Sequence, residues 1–582
     1  MNDQANVQRL LENPREILGL EARDPRRAEA FWHGLSRAER LRAVLACQGS
    51  ERLRLIVLAQ DADTLVRQLP PDEFLATTLD VGPDAADALV AASTDDQLAY
   101  LLDITGWQGE RLWPQRYQLW LPAIVEAGAE RIARWLAQTD VEVLALLFAH
   151  WFRVVKFLTS HDEQEPPDDL PGFTLDGVYF IEFRQKDMQD YASQVLVVLK
   201  SQTPDRYTQI LEAMLWESAI GMAEDALILR AGRLADLGMP SRAEALELWA
   251  APPPKEAAWR ALPTKGETGF LADAPPRSDA ALNLLPRDHA LPALARALPQ
   301  GARDRLRAEL AYVANCGVMA LDVDPTDLEA VARAGREAVG LVNLGLELLS
   351  DGDRSVAGQI LERLGLAALA RQGAQAIRQL NARAWRLVNE GWLAQAPGGL
   401  HILDEPLDRW LAGLLFPHPR CYDQLMGDGR EYRGFRDQAD LEHARRGLDL
   451  AEFWGELLGL MGVAIDQLAQ LSPELARGHQ PLELKLTAVV GTFLARGELG
   501  LSGLWPIPAA LAPRAVAALQ RGLAQWRERR AAESVEALAD PAKAEMAGQL
   551  LRGVLGRIQR DLAAVDASKV DPRFIASLVV EK

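Results

Sequence analysis

The sequence predicts a mainly all-α protein, a superhelix of stacked short helices followed by further helical domains, with one small β-hairpin near residues 173–183. Three observations carry this expectation. Residues 34–105 divide into blocks of about twelve residues, the length of one short helix and its turn. Alanine, leucine and arginine dominate while β-branched runs are scarce, which favours helix wherever packing does not decide. Only FTLDGVYFIEF, at 173–183, joins aromatic and β-branched residues in the manner of paired strands.

The repeat is clearest in GSERLRLIVLAQ, PPDEFLATTLDV, GPDAADALVAAS and TDDQLAYLLDIT, with the shorter DADTLVRQL after the first. Each block opens on a helix start signal. Pro71 and Pro83 suit a first turn whose N–H groups have no partner, and Ser36 with Glu39 and Thr94 with Gln97 fit the capping box. Asp72, Glu73, Asp84, Asp95 and Asp96 place negative charge where the helix dipole favours it. Leu75 with Leu79, and Leu98 with Leu102, then mark one apolar stripe per helix. Two or three turns bury too little alone, so the helices must stack. Trp107, Trp113, Trp120, Trp135 and Trp151 close this first domain, placed at 1–160.

Residues 161–172 hold five acids and three prolines, the composition of an acidic linker. A domain of hairpin plus helices follows at 173–250, with Asp176-Gly177 as the tight turn. In its helix at 223–237, Leu227, Ala231, Leu234 and Leu237 mark the buried face, with Gly238 and Pro240 as the stop. A proline-rich linker spans 251–279 and a helical domain 280–395. The best helix of that domain starts at a Thr326–Glu329 capping box, buries Leu328, Val331, Ala338, Val342 and Leu349, and ends near Asp351-Gly352. A C-terminal helical region, 396–582, completes the chain.

Composition narrows function. Hydrophobic residues at 49% and charged residues at 25% fit globular domains rather than disorder. A net charge of −19 makes the average surface repel phosphate, so no nucleic-acid partner is expected, and Arg527–Arg530 fits a solvated helix face. Cys47, Cys316 and Cys421 are too few and scattered for a disulfide framework, and Met1-Asn2-Asp3-Gln4 lacks the features of a secretory signal. A cytoplasmic location follows as an expectation. The apolar stretch Leu486–Leu494 is bounded by Lys485, Arg496 and Glu498, well short of the ~20 residues that span a bilayer, so no membrane insertion is expected.

Two resemblances arise from these segments. The short-helix array, with LPPDEF and VGPDAADAL, resembles the superhelical N-terminal domain of bacterial magnesium transporters and similar modules of the flagellar motor switch. LVRQLPPDEF, LLDITGW, the Trp120-Leu121 pair, FTLDGVYFIEF, RAGRLADLGMP, AELAYVANCGVMALD and LVNLGLELLSDGD resemble, in that order, an uncharacterised bacterial family known only as a domain of unknown function. That likeness spans roughly residues 65–355 and implies a shared architecture with no activity attached.

Chemical motifs are few. The sequence has no phosphate-cradling G-x-x-x-x-G-K-[ST], no H-E-x-x-H, no C-x-x-C and no G-x-S-x-G. Gly427, Gly429 and Gly434 imitate a dinucleotide loop without the preceding strand. His418, Cys421 and Asp423 offer three donor atoms but not the four of a structural zinc, and a loop stiffened by Pro417 and Pro419 is the simpler account. Asp72, Asp84 and Asp95 could line one rim and hold hydrated magnesium, though capping alone explains them. No cofactor, metal or catalytic residue is assigned.

The candidate ligand-binding set is Asp176, Tyr179, Glu182 and Arg184 of the hairpin with Arg230, Arg233 and Asp236 on the polar side of the nearby helix. These could enclose a polar pocket in which a desolvated Glu182 acts as a general base, or they could be spent in ion pairs. The leading expectation is a non-enzymatic scaffold or regulatory protein that binds a protein partner through the superhelix. The alternative is a cytosolic enzyme or small-ligand sensor using the site between hairpin and helix.

Overall fold

The structure, a computed structural model, describes residues 14–157, 170–236, 239–250, 281–424, 431–471, 484–523, 538 and 540–581. The expected linkers at 161–172 and 251–279, Gly427 and Gly429, and Arg527–Arg530 lie wholly or largely outside them. The fold is mainly all-α, with a few short strands in small sheets. No helix among the described residues is long and apolar enough to cross a membrane.

Backbone contacts divide the chain into two compact units. The first comprises residues 1–248, 256–339 and 361–368, the second 249–255, 340–360 and 369–582. The first begins with the repeat, whose blocks become the helices Arg37–Ala46, Gly49–Val57, Ala62–Arg67, Pro71–Val81, Asp87–Ala92 and Asp95–Thr105. Both expected capping boxes form, at Ser36 with Glu39 and at Thr94 with Gln97. Pro83 opens a separate turn of 3-10 helix, Pro83–Ala85, so its block splits in two.

One stripe is rotated from its expected position. Leu98 and Leu102 are buried, but in Pro71–Val81 the buried residues are Glu73, Phe74, Thr77 and Thr78, with Leu75 and Leu79 half-buried. The cause is Arg52, which is 1% exposed. Its guanidinium donates to the carbonyls of Val44 (3.1 Å), Cys47 (2.9 Å) and Glu73 (2.9 Å), to Thr77 Oγ1 (3.0 Å) and to the Glu73 carboxylate (2.7 Å). A buried guanidinium needs that many acceptors, and the helix turns Glu73 inward to supply them. Nearby, Gly49 (φ +49°) packs so closely on Asp80 that a Cβ there would fall on the carboxylate, which accepts from the Ser50 N–H at 3.0 Å.

The tryptophans pack as anchors. Trp107, Trp120, Trp135 and Trp151 are buried in one core running from Ile17 to Ala226. Three satisfy their N–H groups: Trp120 on Thr105, Trp135 on Tyr117 and Trp151 on Gln118. Trp113 is half-buried, its ring beneath the Arg116 guanidinium at 4.5 Å.

The hairpin gains a third strand. Phe152–Lys156 pairs antiparallel with Tyr179–Phe183, from Phe152 opposite Phe183 to Lys156 opposite Tyr179, and Phe173–Thr174 pairs on the other side. The sequence conceals Phe152–Lys156 because it follows the helix Val141–Trp151 with no glycine or proline between them. Asp176 caps the turn through the N–H groups of Val178 and Tyr179, and Gly177 takes φ +70°.

Further along the unit, the helices Gln300–Ala320 and Leu328–Ser350 cross where a Cβ at Gly317 would sit 2.5 Å from the Ala334 carbonyl oxygen. The cap of the second helix is Asp327, which accepts from Ala330, rather than the expected Thr326, whose N–H and hydroxyl are held by Asp324. Ala338, Val342 and Leu349 are buried as expected, and the helix ends at Ser350, before left-handed Asp351 and Gly352. Leu328 and Val331 are only half-buried.

Arg116 also donates to both oxygens of Asp324, at 2.9 and 2.6 Å. These hydrogen bonds hold the Asp324 carboxyl at about 2, below its ordinary 3.8. Because the folded value is depressed, the stabilisation is complete above the ordinary value and is lost as pH falls toward the folded one. Both side chains are partly exposed, so the contribution is below ~1 kcal/mol. Arg116→Gln is expected to lower stability near neutral pH and to converge with the wild type as pH approaches about 2, measured by urea unfolding across that range.

In the second unit, Gly345 and Gly373 bring Leu328–Ser350 and Leu366–Asn389 into backbone contact, since a Cβ at either would strike the other helix's carbonyl at Leu369 or Leu341. The helices Gln438–Leu460, Leu486–Glu498 and Pro541–Leu562 build the rest of its core.

Candidate functional site

The hairpin set and the helix set turn to different partners. Tyr179 is buried, donates its hydroxyl to Glu212 and meets Tyr207 edge-on at 5.9 Å. Burial, then the bond to Glu212 and its charge, raises the Tyr179 phenol above its ordinary value. Glu212 moves the other way, lowered by hydrogen bonds from Lys156, Tyr179 and Trp216. Asp176 is held in its turn with Lys200 at 3.4 Å. Glu182 does not meet the condition for a general base: its side chain is 55% exposed and pairs across the sheet with Arg153 at 2.8 Å. Arg184 is exposed and donates to the Ala149 carbonyl at 2.8 Å.

The helix Ala219–Asp236 carries the larger surprise. Arg230 and Arg233, placed on its polar outer side by the sequence, point inward. Arg233 grips both oxygens of Asp103 (2.8 and 3.0 Å) and bonds Asp140. Burial opposes its charge, but the bonds and fields of Asp103 and Asp140 outweigh it and raise its pKa. Arg230 donates to the carbonyls of Asp103 (2.8 Å) and Gly109 (3.2 Å) and lies 4.8 Å over the Trp107 ring. Burial, with the neighbouring Arg233, lowers it to about 10 against the pull of Asp103. Asp236 is exposed at the helix end. Among the described residues, then, Arg230 and Arg233 converge on Asp103, and the hairpin residues do not join them.

Turning two arginines inward turns apolar residues outward. Ala231, expected in the core, is exposed; Leu227 is half-buried, Leu234 is buried, and Leu237 lies outside the described residues. Ile220 is 76% and Ile228 69% exposed, and Trp216, ending the preceding helix Pro204–Trp216, is 76% exposed. Leu229, Ala223, Gly232 and Ala235 are exposed as well. Sequence periodicity missed this face by assigning arginine to solvent. The available signal was Asp103, a carboxylate inside the apolar run YLLDIT that requires a buried cation.

A model of a family of unknown function (DUF6178) matches residues 29–581, nearly the whole chain. The chain belongs to that family. No curated protein and no solved structure matches it. For this DUF6178 member, the likeness of the repeat to magnesium-transporter domains remains one of helix length and capping. Asp95 is engaged by Arg131 at 3.0 Å, and no group of three or more His, Cys, Asp or Glu side chains placed to hold a metal occurs among the described residues. The donors near Cys421 are likewise dispersed. Asp423 accepts from Arg433 at 2.7 Å, the His418 ring meets Trp249 edge-on at 5.4 Å, and burial pushes the Cys421 thiol up to about 12.

Proposed function

We propose that this DUF6178 member is a cytoplasmic, non-enzymatic scaffold or regulatory protein that docks a protein partner on its helical array. The observation that carries the reading is the outward apolar face of Ala219–Asp236, extended by Trp216. Monomeric soluble proteins rarely leave so many large apolar side chains of one short segment in water.

The occupant that fits is an amphipathic helix with lysine or arginine beside its apolar ridge. Glu217, Glu224 and Asp225 are exposed along this surface, while both arginines of the helix are turned inward, so the surroundings are negative. Ala223, and Ala231, Gly232 and Ala235 beyond Ile228, let a second helix approach closely alongside the larger anchors Ile220 and Ile228.

The test is a partner captured on the full-length chain, purified, and titrated against wild type, the Ile220→Lys/Ile228→Lys double variant, and Val57→Lys as a control at another exposed apolar residue. The double variant should weaken Kd by at least roughly tenfold, changing folding stability by no more than ~0.5 kcal/mol. Added salt should weaken wild-type binding. Equal affinity of wild type and double variant, or concentration-dependent dimerisation lost only in the double variant, would overturn the proposal.

A further inference from the structure

The short hairpin that follows the repeat frames a cleft of about 390 Å³ within the first unit. Gly109, at φ +58°, turns the chain between Trp107–Gln108 and Arg111–Leu112, which pair with Gln108 opposite Arg111. Arg230 holds that turn through the Gly109 carbonyl and the Trp107 ring. Leu112, Trp113 and Pro114 form the apolar side of the cleft, and His150, from the last turn of Val141–Trp151, lines it together with Arg111. The volume falls in the ~300–1,000 Å³ range of small-molecule sites.

Two donors at this cleft have no acceptor. Arg111 makes no hydrogen bond or ion pair with any described residue. Gln185 donates an amide N–H to His150 Nε2 at 2.7 Å, which leaves the ring proton on Nδ1, without a partner among the described residues. Burial, then the charge of Arg184, holds the imidazole below its ordinary value, so near neutral pH it is an uncharged donor. Arg184 itself donates to a carbonyl rather than to a carboxylate, so its charge is not cancelled there. No acid lines the cleft among the described residues, and Glu110, in the turn, is exposed and outside the lining. In a chain of net charge −19, the field at this place is positive.

One arginine and one neutral N–H match a single negative charge, and the planar guanidinium matches a planar carboxylate. The indole of Trp113 favours an aromatic body beside it. We propose that this cleft binds a small arylalkyl carboxylate, seated with its carboxylate toward Arg111 and His150 and its ring against Leu112, Trp113 and Pro114. The inference does not rest on the partner surface of Ala219–Asp236.

Calorimetric titration and thermal shift of the full chain with phenylpropionate, phenylpropanol and phenylpropylamine test it, because the three share one body and differ in the charge of the head. The carboxylate should bind saturably and raise Tm, the alcohol should bind at least roughly tenfold more weakly, and the amine should give no saturable signal. Arg111 and Gln115 are both exposed on the cleft wall, so Arg111→Gln and Gln115→Phe should fold normally. The first should weaken the carboxylate at least roughly tenfold, and the second should abolish its binding by filling the cleft. Arg26→Gln, which removes the same charge from another exposed position, should leave binding unchanged. Equal binding of all three probes, equal loss in Arg26→Gln and Arg111→Gln, carboxylate binding that survives Gln115→Phe, or no binding by any probe would overturn the assignment.

Discussion

Arg52→Met is expected to destabilise the first unit by about 3–5 kcal/mol, because it strands the partners of a buried guanidinium. Glu73, whose side chain is 10% exposed, loses its counter-ion, and the carbonyls of Val44, Cys47 and Glu73 lose a donor together. Arg52→Lys should recover little, since an ammonium has three donors on one nitrogen and cannot span this set. Adding Glu73→Leu to Arg52→Met should restore part of the loss, as the remaining buried charge is then removed. Urea unfolding followed by tryptophan fluorescence measures each effect. A loss of Arg52 costing less than ~1 kcal/mol would mean that this network does not hold the short helices together.

The same arginine marks the boundary between what the sequence makes legible and what it hides. Helix starts are local: Ser36 with Glu39 and Thr94 with Gln97 reach only three residues along the chain, and both boxes form as their spacing implies. Burial of leucines within a long helix, as at Val342 and Leu349, follows equally from spacing. Arg52 with Glu73 spans 21 residues and Arg233 with Asp103 spans 130, and no periodicity reports such pairings. Where a buried acid finds a distant arginine, the assignment of charge to solvent and hydrocarbon to core reverses locally. Pro71–Val81 is rotated by that reversal and Ala219–Asp236 is inverted by it, so the sequence names all seven candidate residues while placing them in a pocket that does not form among the described residues. The strand Phe152–Lys156 was hidden for a different reason: it runs on from Val141–Trp151 with no glycine or proline to mark the break, and its partner Tyr179–Phe183 follows only after an acidic stretch that offers no pairing signal.

Arg233→Met should cost about 3–5 kcal/mol at neutral pH, and Arg230→Met only about 1–2 kcal/mol, although the two residues lie three apart on one helix. Arg230 donates to carbonyl oxygens and rests on the Trp107 ring, so its removal leaves no charge behind. Arg233 neutralises Asp103, whose side chain is 8% exposed, and reaches Asp140 as well. Burial already pushes the Asp103 carboxyl up, with Arg233 drawing it back. Without Arg233 it should rise further, so the folded variant takes up a proton at a pH where the unfolded chain has none. Stability of Arg233→Met should therefore increase as pH falls from about 7 to about 5, narrowing its gap to the wild type, while the Arg230→Met gap narrows less, because Arg230 acts on Asp103 through its charge without a bond to the carboxylate. Unfolding midpoints of the three proteins across that interval decide the matter. Parallel pH profiles for the two variants would mean that Asp103 does not depend on Arg233 for its charge. The inward turn of Ala219–Asp236, and with it the outward face offered to a partner, would then require another cause.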